Sequence, residues 1–220
     1  MKTTQTWKIG DCMEFLPEMP AKSVHLNITD IPYGSVDIKN NSIRNYDKGD
    51  ANAITFNLED FLKETVRITK GSIYIFCGTE QLGYIRHYFN NNGLTTRLCI
   101  WEKTNPSPMN GEYMWLSGIE CCVYGRFPKA TFNEHCKNSV WRYPIVPNQI
   151  HETQKPLELI KYLVKVSSNE GDMVHDYCMG SGTTLQACKA TNRNFTGFEI
   201  RNNWEERYKS IVSQHTMFDY

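Results

Sequence analysis

Short apolar runs alternate with helical patterns along most of this 220-residue chain. Residues 24–29 and 72–77 are predicted strands, because apolar side chains alternate in the first and are continuous in the second. Between them, residues 58–69 carry apolar side chains at helical spacing, and Gly71 is the expected stop of that helix. This order predicts an α/β fold, in which helices cover a parallel sheet.

The same alternation continues to the end of the chain. Further strands are predicted at residues 7–10, 98–101, 120–124, 173–176 and 195–199, and further helices at residues 80–90, after Pro156, at 183–191 and at 204–212. Two segments lack such patterns, since 35–55 is polar and 104–150 is broken by prolines. Long loops in a compact domain are usually functional or mobile. We expect a single domain over 1–220, with a mobile loop at 35–55 and an irregular insert at 104–150 that is a candidate target-recognition region.

Composition excludes several classes of protein. Hydrophobic residues at 40% and charged residues at 22% are typical of a soluble globular domain. With no long apolar run and no secretory signal, we expect a cytoplasmic protein without a membrane partner. Twenty-four basic residues balance twenty-four acidic ones, so net charge neither supports nor excludes nucleic-acid binding. The eight cysteines show no Cys-x-x-Cys spacing, which favours reduced structural thiols and no metal site.

The segment from Asp176 to Thr184 combines a strand end, a glycine turn and a helix start. Ligands bind at such strand ends in open α/β sheets, and Ser181 or Thr183 can cap the helix. A phosphate-binding P-loop is excluded because no lysine follows Gly182, and a dinucleotide site lacks its third glycine. Glu199, at the end of the next strand, can accept hydrogen bonds from two ribose hydroxyls. An adenosyl ligand is therefore favoured over the alternative, a plain turn with a solvated glutamate.

The tetrapeptide Asp30-Ile31-Pro32-Tyr33 also follows a strand. An exocyclic amino group of a DNA base is a poor nucleophile, because its lone pair is delocalised into the ring. The Asp30 carboxylate and the Ile31 carbonyl can accept its two N–H groups and so free that lone pair. Pro32 favours an extended residue 31, and Tyr33 offers a face on which an extruded base can stack. The alternative is a surface aspartate beside a Pro-Tyr turn.

Taken together, these segments resemble the DNA amino-methyltransferases, which act on N6 of adenine or N4 of cytosine. The tetrapeptide is similar to the family's catalytic Asp-Pro-Pro-Tyr, and residues 176–184 resemble its S-adenosylmethionine loop. Here the catalytic motif precedes the cofactor loop, as in the permuted class called beta. The resemblance implies a Rossmann-like methyltransferase fold with helices on both faces of a mostly parallel, seven-stranded sheet that contains one antiparallel strand.

The resemblance also implies which residues hold S-adenosylmethionine. Asp11 follows the strand whose acid faces the cofactor's adenine ring, and residues 151–156 resemble the segment that lines the methionine end. The expected catalytic residues are Asp30, Ile31, Pro32 and Tyr33. The expected cofactor-binding residues are Asp11, Cys12, Asp30, His151, Thr153, Lys155, Asp176, Tyr177, Cys178, Gly180, Ser181, Gly182, Thr183, Thr184, Glu199 and Ile200.

The chain departs from the family pattern in three ways. Ile31 replaces the family's first proline, but only the backbone carbonyl of residue 31 is expected to accept an N–H, so the side chain can differ. Tyr177-Cys178 replaces the commoner Pro-Phe or Pro-Cys, which should alter packing more than role. No separate recognition domain is evident, so segment 104–150 is expected to read the DNA. This segment interleaves basic and aromatic residues, a pattern that suits phosphate contact and base stacking. The alternative is a solvated face with a few buried aromatic residues. The basic residues are Lys129, Lys137 and Arg142, and the aromatic residues are Phe127, Phe132, Trp141 and Tyr143.

The leading hypothesis is an adenine-N6 DNA methyltransferase, because Asp30 stands where cytosine enzymes tend to have serine. An N4-cytosine enzyme is the alternative within the class, and a catalytically silent DNA- or cofactor-binding module is the alternative outside it. Related folds that modify RNA bases or protein glutamine lack this permuted order. The resemblance is compatible with a homodimer and with a companion restriction nuclease, and the residues decide neither.

Overall fold

The computed structural model describes residues 3–33, 56–108, 111–147 and 154–213, and the backbone of 35–37 and 42–44. Within these ranges the strands β1 to β10 are Gln5–Ile9, Val24–Asp30, Ser35–Asp37, Ser42–Arg44, Thr69–Cys77, Thr95–Lys103, Ile119–Arg126, Val140–Tyr143, Met173–Asp176 and Asn194–Glu199. The helices α1 to α6 are Cys12–Phe15, Leu58–Ile68, Leu82–Asn91, Leu157–Ser167, Thr183–Ala190 and Glu205–Ser213.

Eight of the described strands form one sheet, in the order β1-β10-β9-β2-β5-β7-β6-β8. Strand β7 runs antiparallel to both of its neighbours, and every other pairing in this sheet is parallel. The expected mostly parallel sheet with one antiparallel strand is therefore confirmed. The expected count of seven strands is wrong, because β8 pairs with β6 and adds an eighth strand at the edge. Strands β3 and β4 form a separate antiparallel pair.

Segment 104–150 is not an irregular insert throughout. It contributes β7 to the middle of the sheet and β8 to its edge. Trp141 of β8 is only 8% exposed and packs towards the rings of Tyr74 and Phe76. With four residues, β8 is too short for its alternation to stand out in the sequence. Of the expected mobile loop at 35–55, all but residues 35–37 and 42–44 lies outside the described residues.

Helix α2 leads directly into β5, without the turn that the sequence predicted. The helix ends at Ile68 and the strand begins at Thr69, so Gly71 lies inside β5 and does not stop the helix. A Cβ atom at residue 71 would lie 2.0 Å from the His25 carbonyl oxygen, so the glycine permits a close approach of β2 and β5. The glycine therefore has a packing role inside the sheet.

Helices cover both faces of the sheet, as expected. On β5, Ile73, Ile75 and Cys77 pack in the apolar cluster that includes α2 and α3. Tyr74 and Phe76, on the alternate positions, pack in the cluster that includes α4, α5 and α6. Because β5 is buried on both faces, its sequence is a continuous apolar run rather than an alternation.

Strands β2 and β9 are neighbours in the sheet although they are far apart in the chain. The register pairs Leu26 with Val174 and Asn27 with His175. From β2 the chain passes through α2 to β5 on one side, and from β9 it passes through α5 to β10 on the other. Ligands of open α/β sheets bind at the carboxyl ends of such diverging strands. We call this side of the sheet the carboxyl edge, and both sequence motifs lie on it.

The eight cysteines are free thiols, and six of them are buried. Burial raises the pKa of Cys12, Cys77 and Cys99 to about 12, so these thiols stay protonated and pack as small apolar side chains. Cys136 is exposed, which the expectation of uniformly structural thiols missed. Within the described ranges, no cluster of three or more His, Cys, Asp or Glu is placed to hold a metal ion. Nor is any described helix long and apolar enough to cross a membrane.

Candidate active site

A cavity of about 340 Å³ opens where β1, β2, β9 and β10 end, a size typical of small-molecule sites. Most of the expected site residues line it, namely Asp11, Cys12, Asp30, Ile31, Pro32, Tyr33, Lys155, Asp176, Tyr177, Cys178, Gly180, Ser181, Thr183, Thr184, Glu199 and Ile200. Gly182 is not part of the lining, and His151 and Thr153 lie outside the described residues. The predicted catalytic and cofactor motifs therefore share one cavity.

Helix α6 packs against the glycine loop, residues 178–182, and hydrogen-bonds to it. Gly182 has φ +78°, a left-handed conformation, and a Cβ atom there would lie 3.0 Å from the Tyr208 ring. The Tyr208 hydroxyl donates to the Gly180 carbonyl at 2.6 Å, and Arg207 Nε donates to the Ser181 carbonyl at 2.7 Å. The sequence predicted the loop and α6 as separate features, but it gave no sign that α6 fixes the loop.

The cap of α5 differs from the prediction. Gly182 occupies the cap position, without a side chain to accept an N–H. The hydroxyls of Ser181 and Thr183 instead bond to one another at 3.2 Å. The expectation that Ser181 or Thr183 caps the helix is therefore wrong.

The Glu199 carboxylate is oriented by two backbone amides. Its Oε2 accepts the Gly180 N–H at 2.7 Å, and its Oε1 accepts the Arg201 N–H at 3.0 Å. Each oxygen keeps a further lone pair, so a pair of hydroxyls can still be bound. The Gly10 N–H donates to the Glu199 carbonyl at 2.8 Å, which joins the ends of β1 and β10. This bond brings Asp11, the N-cap of α1, to the same cavity.

Asp176 lies at the end of β9, where it is only 4% exposed. Its Oδ1 accepts the Cys178 N–H at 3.1 Å. Burial raises the pKa of Asp176 to about 7, and hydrogen bonds from Thr184, Cys178 and Thr29 limit the rise. Near neutral pH this carboxyl is therefore balanced between its protonated and its ionised form.

Tyr177 supports the cavity from the core rather than presenting a free side chain. It is 2% exposed, and its ring packs edge-on against Phe61 and His175, with centroids 4.9 and 4.6 Å apart. The tyrosine that replaces the family's proline therefore changes packing, as the sequence led us to expect.

Five polar side chains meet at the end of β2, and we call them the charged cluster: Asp30, Tyr33, Lys103, Glu120 and Lys155. Lys155 Nζ contacts Asp30 Oδ2 and lies 3.0 Å from Glu120 Oε2. The Tyr33 hydroxyl donates to Asp30 Oδ1 at 2.9 Å and to Glu120 Oε2 at 3.2 Å. Lys103 Nζ lies 2.9 Å from Glu120 Oε1. Both Asp30 oxygens are thus engaged.

Burial and charge oppose one another in the charged cluster. Burial raises the pKa of Asp30, and the Lys155 ammonium counters part of that rise. Burial alone would also raise the pKa of Glu120, but Lys155 and Lys103 outweigh it and hold that pKa below its ordinary value. Burial and the two carboxylates raise the pKa of Tyr33 well above its usual range. Tyr33 therefore remains a neutral hydrogen-bond donor, and Lys155 favours an ionised Asp30.

Three features of the charged cluster were not anticipated. Glu120 and Lys103 were not among the expected site residues, although a glutamate at the start of an otherwise apolar strand was a visible signal. Lys155 was expected at the methionine end of a cofactor, whereas its ammonium group forms an ion pair with the Asp30 carboxylate. Tyr33 was expected to present a ring face, but its hydroxyl is bonded to Asp30 while the residue is 37% exposed.

Sequence comparison finds DNA methylases that resemble this chain. Residues 114–210 match the N6/N4 family described as DNA methylase. The chain is 29% identical to Type II methyltransferase M.HinfI of Haemophilus influenzae, over 93% of this chain and 66% of that protein. It is also 29% identical to DNA adenine methyltransferase YhdJ of Escherichia coli (strain K12), over 89% of this chain and 78% of that protein. Over these stretches the chain is similar to DNA methylases of the N6/N4 family.

Solved structures share the fold of this chain. The crystal structure of the M1.HpyAVI–SAM complex has a TM-score of 0.74 and 25% identity, over 94% of this chain and 99% of that chain. The cytosine-N4-specific PvuII DNA methyltransferase has the same TM-score at 15% identity, over 98% of this chain and 89% of that chain. At that identity the likeness concerns the fold alone.

The basic residues expected to face DNA do not lie together in the structure. The Phe127 N–H donates to the Gly71 carbonyl at 3.0 Å, which places the following Lys129 at the amino ends of the parallel strands, opposite the cavity. Lys137 pairs with Glu134, next to a segment bonded to the end of α4 on that same side. Arg142, on β8, pairs with Glu102. These three residues therefore do not form a single basic surface, and their contact with phosphate stays a prediction.

Two of the four aromatic residues proposed for base stacking do not present a free ring face. Trp141 belongs to the core, and Phe127 lies under Lys22, whose Nζ is 3.8 Å from the ring centroid. A different aromatic segment is exposed where β7 begins, at the carboxyl edge of the sheet. Tyr113 is 83% and Trp115 is 96% exposed, and they come shortly before Glu120 of the charged cluster.

Proposed function

We propose that this protein transfers a methyl group from S-adenosylmethionine to N6 of an adenine that is extruded from duplex DNA. The observation that carries the proposal is the position of Asp30. It lies at the end of β2, and it lines the same cavity as Gly180 and Glu199. A site for the target amine and a site for an adenosyl group therefore adjoin.

The residues on the β9–β10 side fit S-adenosylmethionine. The Glu199 carboxylate, oriented by the amides of Gly180 and Arg201, would hold the two ribose hydroxyls. Asp11 and Cys12, at the neighbouring end of β1, would lie beside the adenine ring. When bound, the cofactor supplies an electrophilic methyl group on a sulfonium sulfur. Support also comes from M1.HpyAVI, whose structure was solved as a SAM complex.

The catalytic motif activates the amino group of the base. In our proposal, one N–H of the amine donates to the Asp30 carboxylate and the other to the Ile31 carbonyl. The amino nitrogen then loses conjugation with the ring, and its lone pair becomes available to form the N–C bond. A proton must leave the nitrogen once that bond forms. The pKa of Asp30, raised by burial, makes its carboxylate a suitable acceptor.

The target amine must compete with groups already on Asp30. The Tyr33 hydroxyl occupies Oδ1, and the Lys155 ammonium occupies Oδ2. Tyr33 is 37% exposed, whereas Lys155 is 5% exposed and is also held by Glu120. We therefore propose that Tyr33 turns away from Asp30 and that its ring then stacks on the extruded base. Lys155 stays in place and keeps Asp30 ionised.

Adenine is the proposed target base for two reasons. Asp30 stands where cytosine enzymes of the family tend to have serine, and YhdJ, 29% identical, is a DNA adenine methyltransferase. N4 of cytosine is the alternative target, because the fold is shared with a cytosine-N4-specific enzyme. Single-molecule sequencing of DNA from cells that express the protein tests the assignment, since it reports the base and its sequence context. We expect N6-methyladenine in a fixed context, and N4-methylcytosine alone would overturn the choice of base.

We further propose that the exposed segment 113–119 contacts the DNA next to the target base. It comprises the exposed residues Tyr113, Met114, Trp115, Leu116 and Ile119. The Lys103 N–H donates to the Gly118 carbonyl at 2.8 Å, which ties the segment to the strand that carries Lys103. Because the segment leads directly into Glu120, a duplex whose extruded base reaches Asp30 would pass over it. Exposed aromatic rings of this kind stack on bases without regard to sequence.

A further inference from the structure

The parallel pairing of β2 with β5 stops abruptly at the catalytic motif. Asp30 is in register with Phe76, and the Ile31 N–H donates to the Phe76 carbonyl at 3.1 Å. In a continuing parallel ladder, the Gly78 N–H would next donate to the Ile31 carbonyl. That bond is not formed, because the Gly78 N–H donates to Gln81 Oε1 at 2.8 Å.

Gln81 is well placed to end the ladder. It is completely buried, and it immediately precedes α3. Its own N–H donates to the Gly78 carbonyl at 3.1 Å, and its carbonyl accepts the Ile85 N–H at 3.1 Å. Its side-chain Nε2 donates to the Pro32 carbonyl at 3.0 Å. One amide side chain therefore replaces the missing ladder bond and ties the catalytic motif to the start of a helix.

The Ile31 carbonyl is left available by this arrangement. Within the described part of the chain, no N–H or O–H donates to it. Ile31 lines the cavity, the residue as a whole is 1% exposed, and its side chain packs in the apolar core and so holds the residue in place. A carbonyl without a donor is unusual away from solvent, and a ligand N–H would satisfy it.

We infer that Gln81 is a positioning residue for methyl transfer: it removes the Gly78 N–H from the ladder and so reserves the Ile31 carbonyl for an N–H of the target amine. The inference rests on the proposed function, because the reserved carbonyl is the second acceptor in that chemistry. Gln81 itself touches neither the base nor the cofactor in this scheme.

The variant Gln81→Met tests the inference, because methionine has a similar size but neither accepts nor donates strongly. The Gly78 N–H should then turn to the Ile31 carbonyl. In protein labelled with ¹⁵N-glycine and carbonyl-¹³C-isoleucine, a coupling through that hydrogen bond should appear in the variant and be absent from the wild type. The single-turnover rate of methyl transfer should fall roughly 10- to 100-fold, while the affinity for S-adenosylmethionine stays unchanged.

Two further variants serve as controls. Gln5→Met removes a comparable side-chain bond, from Gln5 Nε2 to the Arg193 carbonyl at 2.8 Å, on the opposite side of the sheet. It should leave the transfer rate unchanged. Gln81→Glu keeps an acceptor for the Gly78 N–H but loses the donor to Pro32, so it should retain more activity than Gln81→Met. Equal losses in both Gln81 variants would show that the Ile31 carbonyl is not the group that matters.

The outcomes separate this inference from the proposed function. A wild-type transfer rate in Gln81→Met, or a Gly78–Ile31 coupling already present in the wild type, would overturn the inference. A wild-type protein that methylates no DNA would instead refute the proposed function. In that case, the coupling experiment would still decide whether Gln81 ends the ladder.

Discussion

Lys155 and Asp30, 125 residues apart in the chain, form a buried ion pair at the end of β2. Glu120 binds the same ammonium group at 3.0 Å, and Lys103 in turn binds Glu120. Removing one partner from such a pair leaves the other charge buried and uncompensated, which is costly. In this protein the cost falls on Asp30, the residue that we propose accepts an N–H of the target amine.

Replacing Lys155 should therefore change the pH dependence of methyl transfer. In Lys155→Met, the charge that opposes the effect of burial on the Asp30 pKa is lost, so this pKa should rise further. Ionised Asp30 would then be present only at higher pH. We expect the acid limb of the kcat/KM profile to move to higher pH, because that profile reports the free enzyme. The control Lys161→Met removes a surface lysine paired with Glu158 and should leave the limb in place. An unmoved limb in Lys155→Met would contradict the account.

Asp30→Asn should separate catalysis from cofactor binding. The amide retains one acceptor oxygen, but it cannot take up the proton, so the transfer rate should fall by roughly 10²- to 10⁴-fold. Glu199 and the glycine loop are not altered by the substitution. Calorimetric titration with S-adenosylmethionine should therefore give a dissociation constant close to that of the wild type. A loss of cofactor affinity parallel to the loss of rate would indicate that Asp30 is mainly a binding residue.

The two parts of Tyr33 should have different roles. Tyr33→Phe keeps the stacking face and removes the hydroxyl that competes for Asp30, so DNA affinity should be retained. Tyr33→Ala removes the stacking face and should weaken binding of DNA by about 1–3 kcal/mol. Fluorescence anisotropy with a labelled duplex measures both variants. Equal loss of affinity in the two would assign the effect to the hydroxyl and contradict the proposed rotation of Tyr33.

Asp176 should make the folded protein less stable as the pH rises. Its pKa is about 7 in the folded protein, against the ordinary value of 3.8. Between these values the folded state holds more protons than the unfolded state, so its contribution to the free energy of unfolding falls as pH increases. The whole effect is at most about 4 kcal/mol. Asp176→Asn should therefore be more favourable, relative to wild type, at about pH 8 than at about pH 5 in urea unfolding. The same difference at both pH values would contradict the assignment.

The exposed aromatic segment should contribute to DNA binding and not to cofactor binding. Trp115→Ala is expected to weaken DNA affinity by about 1–3 kcal/mol, with the affinity for S-adenosylmethionine unchanged. Phe132→Ala provides a matched control, since Phe132 is 43% exposed but precedes Asn133, which is bonded to the end of α4 away from the cavity. An effect of Phe132→Ala as large as that of Trp115→Ala would favour the opposite side of the sheet as the DNA surface.

The sequence predicted the features that depend on local pattern. Buried strands appear as apolar runs, and both motifs follow such strands, so their meeting at the carboxyl edge could be expected from the parallel arrangement. The expected role of Glu199 came from its position at the end of a strand, and the family resemblance supplied the permuted class and the expected place of residues 151–156. Strand β8 was missed because four residues in a proline-rich segment give no clear periodicity.

Contacts between distant strands could not be predicted in this way. Glu120 reaches Lys155 only because β7 runs antiparallel beside β5. The register between these two strands cannot be predicted from the local sequence. Gln81 acts through two hydrogen bonds that depend on where β5 ends relative to β2. Lys129 was misassigned for the same reason, since the composition of a segment does not say on which side of a sheet it lies.

Analysis of methylated nucleosides tests the central claim most directly. Duplex DNA of mixed sequence is incubated with purified protein and S-adenosylmethionine carrying a ¹³C-labelled methyl group, then digested and examined by mass spectrometry. We expect labelled N6-methyl-2′-deoxyadenosine with the wild type and none with Asp30→Ala. Labelled N4-methylcytosine without the adenine product, or equal labelling by Asp30→Ala, would contradict the account.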